Sequence, residues 1–317
     1  MTGPGLDGAV VALSLSPAND LARLGYHARE FDSLTFELAL QIVRRGGRVL
    51  YGGHLHENGL ALPIFEHVAA AYGSGAARRD AAAPKPVLSF LAAKELGKTP
   101  FDRLVGVLER TQGFVEMQIH IAPQRHVVPF TRQDRESGQA TLTMTERGRA
   151  PVTLADQAAL DAFVAAEVAV SEAEALTLMR QAAAGLAQAR IVLGGRRGDL
   201  GIAAADRFNG AIPGIYEEIV ASLSRCPVAI LAAYGGAARE AAFDLGLLDA
   251  TDPRAPFLGA EQDGVADGRA ALLRARDALP AESRSAFERF AEFARRDDGP
   301  LLARDVVRRI AEALSGG

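Results

Sequence analysis

The chain has 317 residues, 49% hydrophobic and 23% charged, a balance that excludes global disorder and suffices to bury one large core or two modest ones. A formal net charge of −4 offers no basic footprint for a nucleic-acid backbone, and the lack of tryptophan with 6% aromatic residues argues against a stacking platform for single strands or sugars. The one cysteine, Cys226, can make neither an internal disulfide nor a cysteine-rich zinc site. With a small, polar start from Met1 to Gly8 and every apolar stretch broken by charge well before about 18 residues, the expected setting is the reducing cytoplasm, without a membrane span.

Val10-Val11-Ala12-Leu13 is a short apolar run of the kind buried on both faces of a parallel sheet, and Ser14-Leu15-Ser16-Pro17 is expected to end it. Phe31 to Arg45 carries Leu34, Leu38 and Ile42 at helical spacing, with Asp32 or Ser33 as N-cap and Gly46-Gly47 as stop. Arg48-Val49-Leu50-Tyr51 reads as the second strand, breaking at Gly52-Gly53, and Gly59 to Tyr72 as the next helix. Val87 to Leu91 and Val115 to Ile119 flank a short helix around Arg103 to Glu109, continuing a β-α-β alternation. Pro123 to Pro151 has no sustained period and reads as a long excursion or a small antiparallel insert.

Thr153 to Val170 and Ser171 to Gln188 are alanine-rich helical stretches. A strong strand, Ala189 to Leu193, ends in Gly194-Gly195; Glu217 to Ser224 is helical; Pro227 to Leu231 is another buried strand ending near Tyr234-Gly235-Gly236. Helices are expected at about Arg284 to Arg295 and Leu301 to Leu314. The pattern predicts a doubly wound, mostly parallel α/β fold over residues 1–260, with an irregular insert at about 123–152 and a C-terminal helical extension, 261–317, packed on it.

Three strands end alike, at Gly52-Gly53, Gly194-Gly195 and Gly235-Gly236. In an open parallel sheet, ligands lie outside the carboxyl ends of the strands, where glycine permits positive φ and close approach of backbone amides to phosphate. A following helix adds an N-terminus that favours an anion. In Ile212-Pro213-Gly214-Ile215-Tyr216-Glu217-Glu218, Gly214 can present its amide, and the two glutamates either offset the helix dipole or accept bonds from ribose hydroxyls and act as acid or base. Arg180 is either a phosphate clamp or an ordinary solvated helix arginine. No phosphate-loop, dinucleotide-fingerprint or nucleophile-elbow motif occurs in the appropriate context. His54-Leu55-His56-Glu57 lacks the spacing of a metal site, so no metal and no cofactor is expected.

Taken in order, Leu13 to Pro17 with Ser14 and Ser16, Leu50 to Gly53, Leu176 to Arg180, Ala189 to Gly195, Pro213 to Glu218 and Tyr234 to Arg239 resemble the SLOG superfamily, and more narrowly its prokaryotic branch related to the cytosolic sensor domain of TRPM channels. The resemblance covers roughly Val10 to Leu248. It implies a Rossmann-like fold that binds nucleotides or NAD-derived signals such as ADP-ribose and its cyclic forms, often in bacterial defence or stress systems. The superfamily also contains the Lonely-guy phosphoribohydrolases, similar here at Met179-Arg180 and at Pro213-Gly214 with its downstream glutamates. Their loop reads Pro-Gly-Gly-x-Gly-Thr before the glutamate, whereas this chain passes directly through Ile215 and Tyr216, without the Gly-Thr amides and hydroxyl that hold phosphate. The sequence therefore favours a binding module for an ADP-ribose-like or cyclic nucleotide, contacting Ser14, Ser16, Gly52, Gly53, Arg180, Gly194, Gly195, Pro213, Gly214, Glu217, Glu218, Gly235 and Gly236. The alternative is a nucleotide N-glycosidase using Glu217, Glu218 and Arg180. A third reading is a subunit acting through a homo-oligomer or a separate effector protein.

Overall fold

The computed structural model describes residues 4–55, 59–76, 84–111, 113–121, 124–127, 130–132, 140–145, 150–167, 170–202 and 206–316. His56, Glu57 and much of the 123–151 stretch lie outside the described residues. The chain divides into two compact units, residues 1–47 with 180–317 and residues 48–179.

The first unit holds three parallel strands in the order β10-β9-β1: β1 (Val10–Ser16), β9 (Ala189–Gly194) and β10 (Val228–Leu231). Leu13 pairs with Ile191 and Ile191 with Ala229. Because successive strand side chains alternate in direction, burial on both faces demands the unbroken apolar runs seen here. Val192, Val228 and Ile230 join a core with Ile215, Ile219 and Leu223 of α7 (Gly214–Leu223), Ala237 and Ala241 of α8 (Gly236–Asp244) and Leu272 of α9 (Val265–Asp277). The alternate residues Ile191, Leu193, Ala229 and Leu231 are equally buried. Helix α1 (Ala28–Arg44) packs on the C-terminal helix α11 (Pro300–Ser315), each contributing an apolar stripe, Leu34, Leu38 and Ile42 on one and Leu302, Val306 and Ile310 on the other. Between α9 and α11 in sequence lies α10 (Ala281–Glu288).

The second unit holds β2 (Arg48–Gly52), β3 (Val87–Ala92) and β4 (Val115–Ile121), all parallel, with β5 (Gln124–Val127) antiparallel at the β4 edge. A small antiparallel sheet follows, β6 (Phe130–Arg132), β7 (Ala140–Met144) and β8 (Val152–Leu154). Its helices are α2 (Ala61–Ala76), α3 (Ala93–Leu96), α4 (Phe101–Thr111) and α5 (Gln157–Glu167), and α6 (Glu172–Leu186) carries the chain into the 180–317 segment. Three parallel strands in each unit, linked by helices, make this a doubly wound α/β fold. Among the described residues no helix is long and apolar enough to cross a membrane.

Several boundaries differ from the sequence reading for local reasons. β1 continues through Ser14 to Ser16, because the buried Ser14 hydroxyl accepts a hydrogen bond from Arg190 and so tolerates the interior. The cap of α1 is His27 rather than Asp32 or Ser33: its Nδ1 accepts the Arg29 amide at 3.2 Å, and Glu30 accepts the His27 amide at 2.6 Å, a reciprocal capping box. Thr153 sits in β8, not in a helix.

Candidate functional site

The turns that follow β9 and β10 in the first unit interlock. Gly194 and Gly195 adopt φ of 67° and 95°, and Gly235 and Gly236 adopt 78° and 68°, left-handed values that disfavour a side chain. The Gly195 amide donates to the Ser16 carbonyl at 2.8 Å, and the Ala237 amide donates to the Gly195 carbonyl at 3.0 Å. A Cβ at Gly194 would lie 2.7 Å from the Phe31 ring, and one at Gly236 would lie 2.6 Å from the Gly194 carbonyl carbon. Ser16, Gly194, Gly195, Gly235 and Gly236 are therefore brought together, backbone against backbone. Gly52 and Gly53 belong to the second unit: Gly52 ends β2 beside the Met179 side chain, and the Gly53 amide donates to the Phe90 carbonyl at 3.2 Å.

The two helices that follow these turns have different N-termini. At α8, the Gly236 amide donates to Asp20 Oδ1 at 2.8 Å, so the first turn already holds a carboxylate. At α7, the cap is Pro213, which offers no side-chain hydrogen bond, and the first intrahelical bond runs from the Glu217 amide to the Pro213 carbonyl. Across this first turn lies Arg180, paired with Glu217, the two side chains being 14% and 13% exposed. Gly214 makes room for it: a Cβ there would come within 2.9 Å of the Arg180 Cζ. Arg180, Pro213, Gly214 and Glu217 thus form one constellation, a cation laid over amides that lack intrahelical partners. The Gly195 turn packs against it through Ile215.

Ser14 and Glu218 belong to a deeper network centred on Arg190, which is 1% exposed. Its Nε donates to Ser222 Oγ at 2.6 Å, its Nη1 donates to Ser14 Oγ and lies 3.7 Å from a Glu218 carboxylate oxygen, and Nη2 has no hydrogen-bond partner. Burial pulls this guanidinium below its ordinary pKa, and Glu218 opposes the shift. Glu218 therefore points to a buried arginine, while Glu217 pairs with Arg180.

The segment between β9 and α7 is wound around two carboxylates. Asp199 accepts the amides of Leu258, Gly201 and Gly259 at 2.8, 2.9 and 3.0 Å, and Asp206 accepts the Asp199 amide at 2.7 Å and the Asn19 side-chain amide at 2.9 Å. Burial pushes the Asp199 carboxyl up, but its three backbone donors and Arg197 outweigh that and hold it below the usual carboxylate value. Arg197, 1% exposed, bonds Asp20 and the Ala255 carbonyl at 2.9 and 2.8 Å and stacks on Phe257 at 3.9 Å. Sequence reasoning passed over Asp20, Arg190 and Arg197. The available signals were a lone arginine inside the apolar run of β9 and two arginines directly after Gly194-Gly195. At the opposite, amino end of β10, a cavity of about 180 Å³ lies between Ser224–Val228 and α10, away from these groups.

A family model described as SLOG cluster2 matches residues 5–252. The chain belongs to the SLOG family. No curated protein and no solved structure matches it. The match spans β1 through α8 and so contains every group described above apart from the Pro253–Gln262 segment that Arg197 and Asp199 hold. SLOG membership supports a nucleotide-related, Rossmann-like domain.

Proposed function

We propose that this SLOG protein binds an ADP-ribose-like or related NAD-derived nucleotide as a sensor, through Arg180 and the first turn of α7. The observation that carries the reading is the Arg180–Glu217 pair lying over Gly214 at the N-terminus of a helix that no side chain caps. A guanidinium has five donors in a planar fork, so Arg180 can engage a phosphate while still touching Glu217. The Glu217 carboxylate beside it suits ribose hydroxyls. The interlocked glycine turns act from beneath, fixing β1, β9 and α8 against α7. Binding here is passed on through a homo-oligomer or a separate effector.

A thermal-shift panel of AMP, ADP-ribose, cyclic ADP-ribose, NAD and cyclic dinucleotides tests the reading, since a ligand at 100 times its Kd stabilises a fold by about 2.7 kcal/mol. Stabilisation by an NAD-derived member that disappears in Arg180→Met supports it; indifference to the whole panel overturns it.

One observation favours a second reading, an N-glycosidase of Lonely-guy type: the pair sets a carboxylate directly beside the phosphate-binding cation. Catalysis would require Glu217 to stabilise a ribosyl cation-like transition state with phosphate anchored opposite. The loop passes through Ile215 and Tyr216, whose hydroxyl donates to Asp244 at 2.8 Å, and among the described residues Arg180 is the cation laid on this turn, which is why binding without turnover is preferred. Chromatographic detection of free base or nicotinamide after prolonged incubation, absent with Glu217→Gln, would establish the enzyme.

A further inference from the structure

We propose that Gly268, in α9 and beyond the residues that the family model matches, is a positioning residue for the α7 constellation: it lets α9 press on Pro213 and so sets where the Gly214 turn stands beneath Arg180, and with it the affinity for the ligand. The proposal rests on the nucleotide reading of that constellation.

A helix interior favours alanine over glycine, so a helical glycine needs a reason. Conformation does not supply one here: Gly268 has no left-handed φ, and its amide donates to the Gly264 carbonyl at 2.9 Å as a helix requires. Contact does. A Cβ at Gly268 would lie 3.0 Å from Pro213 Cδ, 3.0 Å from Tyr216 Cδ2 and 3.3 Å from Ile212 Cβ, all closer than an ordinary van der Waals contact. All three neighbours belong to the turn that enters α7, where Pro213 is the cap and Gly214 lies against the Arg180 guanidinium.

The chain leading into Gly268 is clamped to the same loop. The Gln262 amide donates to the Gly198 carbonyl at 2.8 Å; its side chain donates from Nε2 to the Phe208 carbonyl at 2.9 Å and accepts the Phe208 amide at 3.2 Å. Gly264 is left-handed at φ 94° and sits so close to Ala211 that a Cβ there would overlap the Ala211 carbonyl oxygen. Next to Gly268, Arg269 pairs with Asp244 at 3.2 Å, and Asp244 in turn accepts the Tyr216 hydroxyl at 2.8 Å. With α9 held on both sides of Gly268, a group added there moves the α7 cap by a few tenths of an ångström rather than sliding α9. That movement is carried to Gly214, whose missing Cβ is what lets the Arg180 guanidinium lie directly on the helix.

The test is Gly268→Ala in the full chain, with ADP-ribose as probe. Its control is Gly106→Ala, the same exchange inside α4 at a glycine with nothing within 4 Å of the added methyl. Gly268→Ala is expected to keep its Tm within about 3 °C, since the helical preference for alanine offsets the crowding. It is expected nonetheless to bind ADP-ribose at least about threefold more weakly than wild type by calorimetry. In the ligand-free protein, the Gly214 amide and Arg180 Nε–H resonances should move in Gly268→Ala and stay in place in Gly106→Ala. Wild-type affinity in Gly268→Ala overturns the proposal, as do unmoved resonances or an equal loss of affinity in Gly106→Ala. Should Gly268→Ala fail to fold, Gln262→Leu decides, because it frees Phe208 and loosens the same loop: weakened binding with moved resonances supports the proposal, and their absence overturns it. If wild type binds no member of the nucleotide panel, it is the nucleotide reading that fails, and the Gly214 and Arg180 resonances alone then decide the positioning role.

Discussion

Replacing Gly214 by alanine adds one methyl group at the point where the Arg180 guanidinium crosses α7. The backbone there is not left-handed, so alanine meets no conformational penalty and gains about 0.4–1 kcal/mol by restricting the unfolded chain. The methyl would stand 2.9 Å from the Arg180 Cζ, too close to coexist with it, so the guanidinium must swing away from the helix. Displacing it weakens a mostly buried, charge-assisted contact with Glu217, which costs about 1–2 kcal/mol. The two effects nearly cancel, and stability measured by urea unfolding is expected to change by no more than about 1 kcal/mol. Ligand affinity has no such compensation. Losing one charged contact of about 1.5–3 kcal/mol corresponds to a drop of about 10-fold to 150-fold, read by calorimetry on the folded variant. Unchanged affinity in a variant of unchanged stability would remove the α7 turn from the site and refute the reasoning.

Gly236→Ala combines a left-handed backbone with a clash against the Gly194 carbonyl, and is expected to lower stability in urea by about 3 kcal/mol or to prevent folding; a loss under 1 kcal/mol would show that the two turns are not interlocked. Arg190→Met leaves the Glu218 carboxylate without its buried cation and is expected to cost about 2–3 kcal/mol, with Arg190→Met/Glu218→Gln recovering at least half in a double-mutant cycle. Tyr26 and Tyr234, whose rings lie 4.9 Å apart, are both pushed up to about 12, first by burial and then by Asp297. A raised native pKa gives stability that is complete below the unfolded value near 10 and is lost as pH rises toward 12. Tyr26→Phe and Tyr234→Phe should therefore flatten the loss of Tm between pH 10 and 12, and an unchanged alkaline profile would contradict this.

The strands were legible because β1, β9 and β10 are buried on both faces and must be written as unbroken apolar runs. Long-range polar partners were not. Ser14 looked like a strand end because its hydrogen-bond partner, Arg190, is distant in sequence, and the arginine itself looked anomalous in an apolar strand until Ser14, Ser222 and Glu218 surrounded it. Helix α8 was missed because Gly236 to Ala242 is buried almost all round, leaving no amphipathic contrast for a helical period to show. The Gly-Gly recurrence marked the tight end of β9 at Gly194, whereas β10 ends at Leu231 and Gly235 is the N-cap of α8; φ is positive at both glycines, but composition alone could not reveal that the amide of Gly236 faces Asp20 while the first turn of α7 has no side-chain cap. The Arg180 and Glu217 types were visible; their contact across Gly214 emerges only when α6 and α7 are placed together.

The most direct measurement of the central claim is calorimetric titration of ADP-ribose into wild type and Arg180→Met, with urea unfolding of both proteins to verify that they are folded. Saturable binding to wild type that weakens at least tenfold in Arg180→Met is the expected result. Equal affinity in the two proteins, or no binding to wild type by ADP-ribose or any other member of the nucleotide panel, would contradict the assignment of the α7 constellation as a nucleotide site.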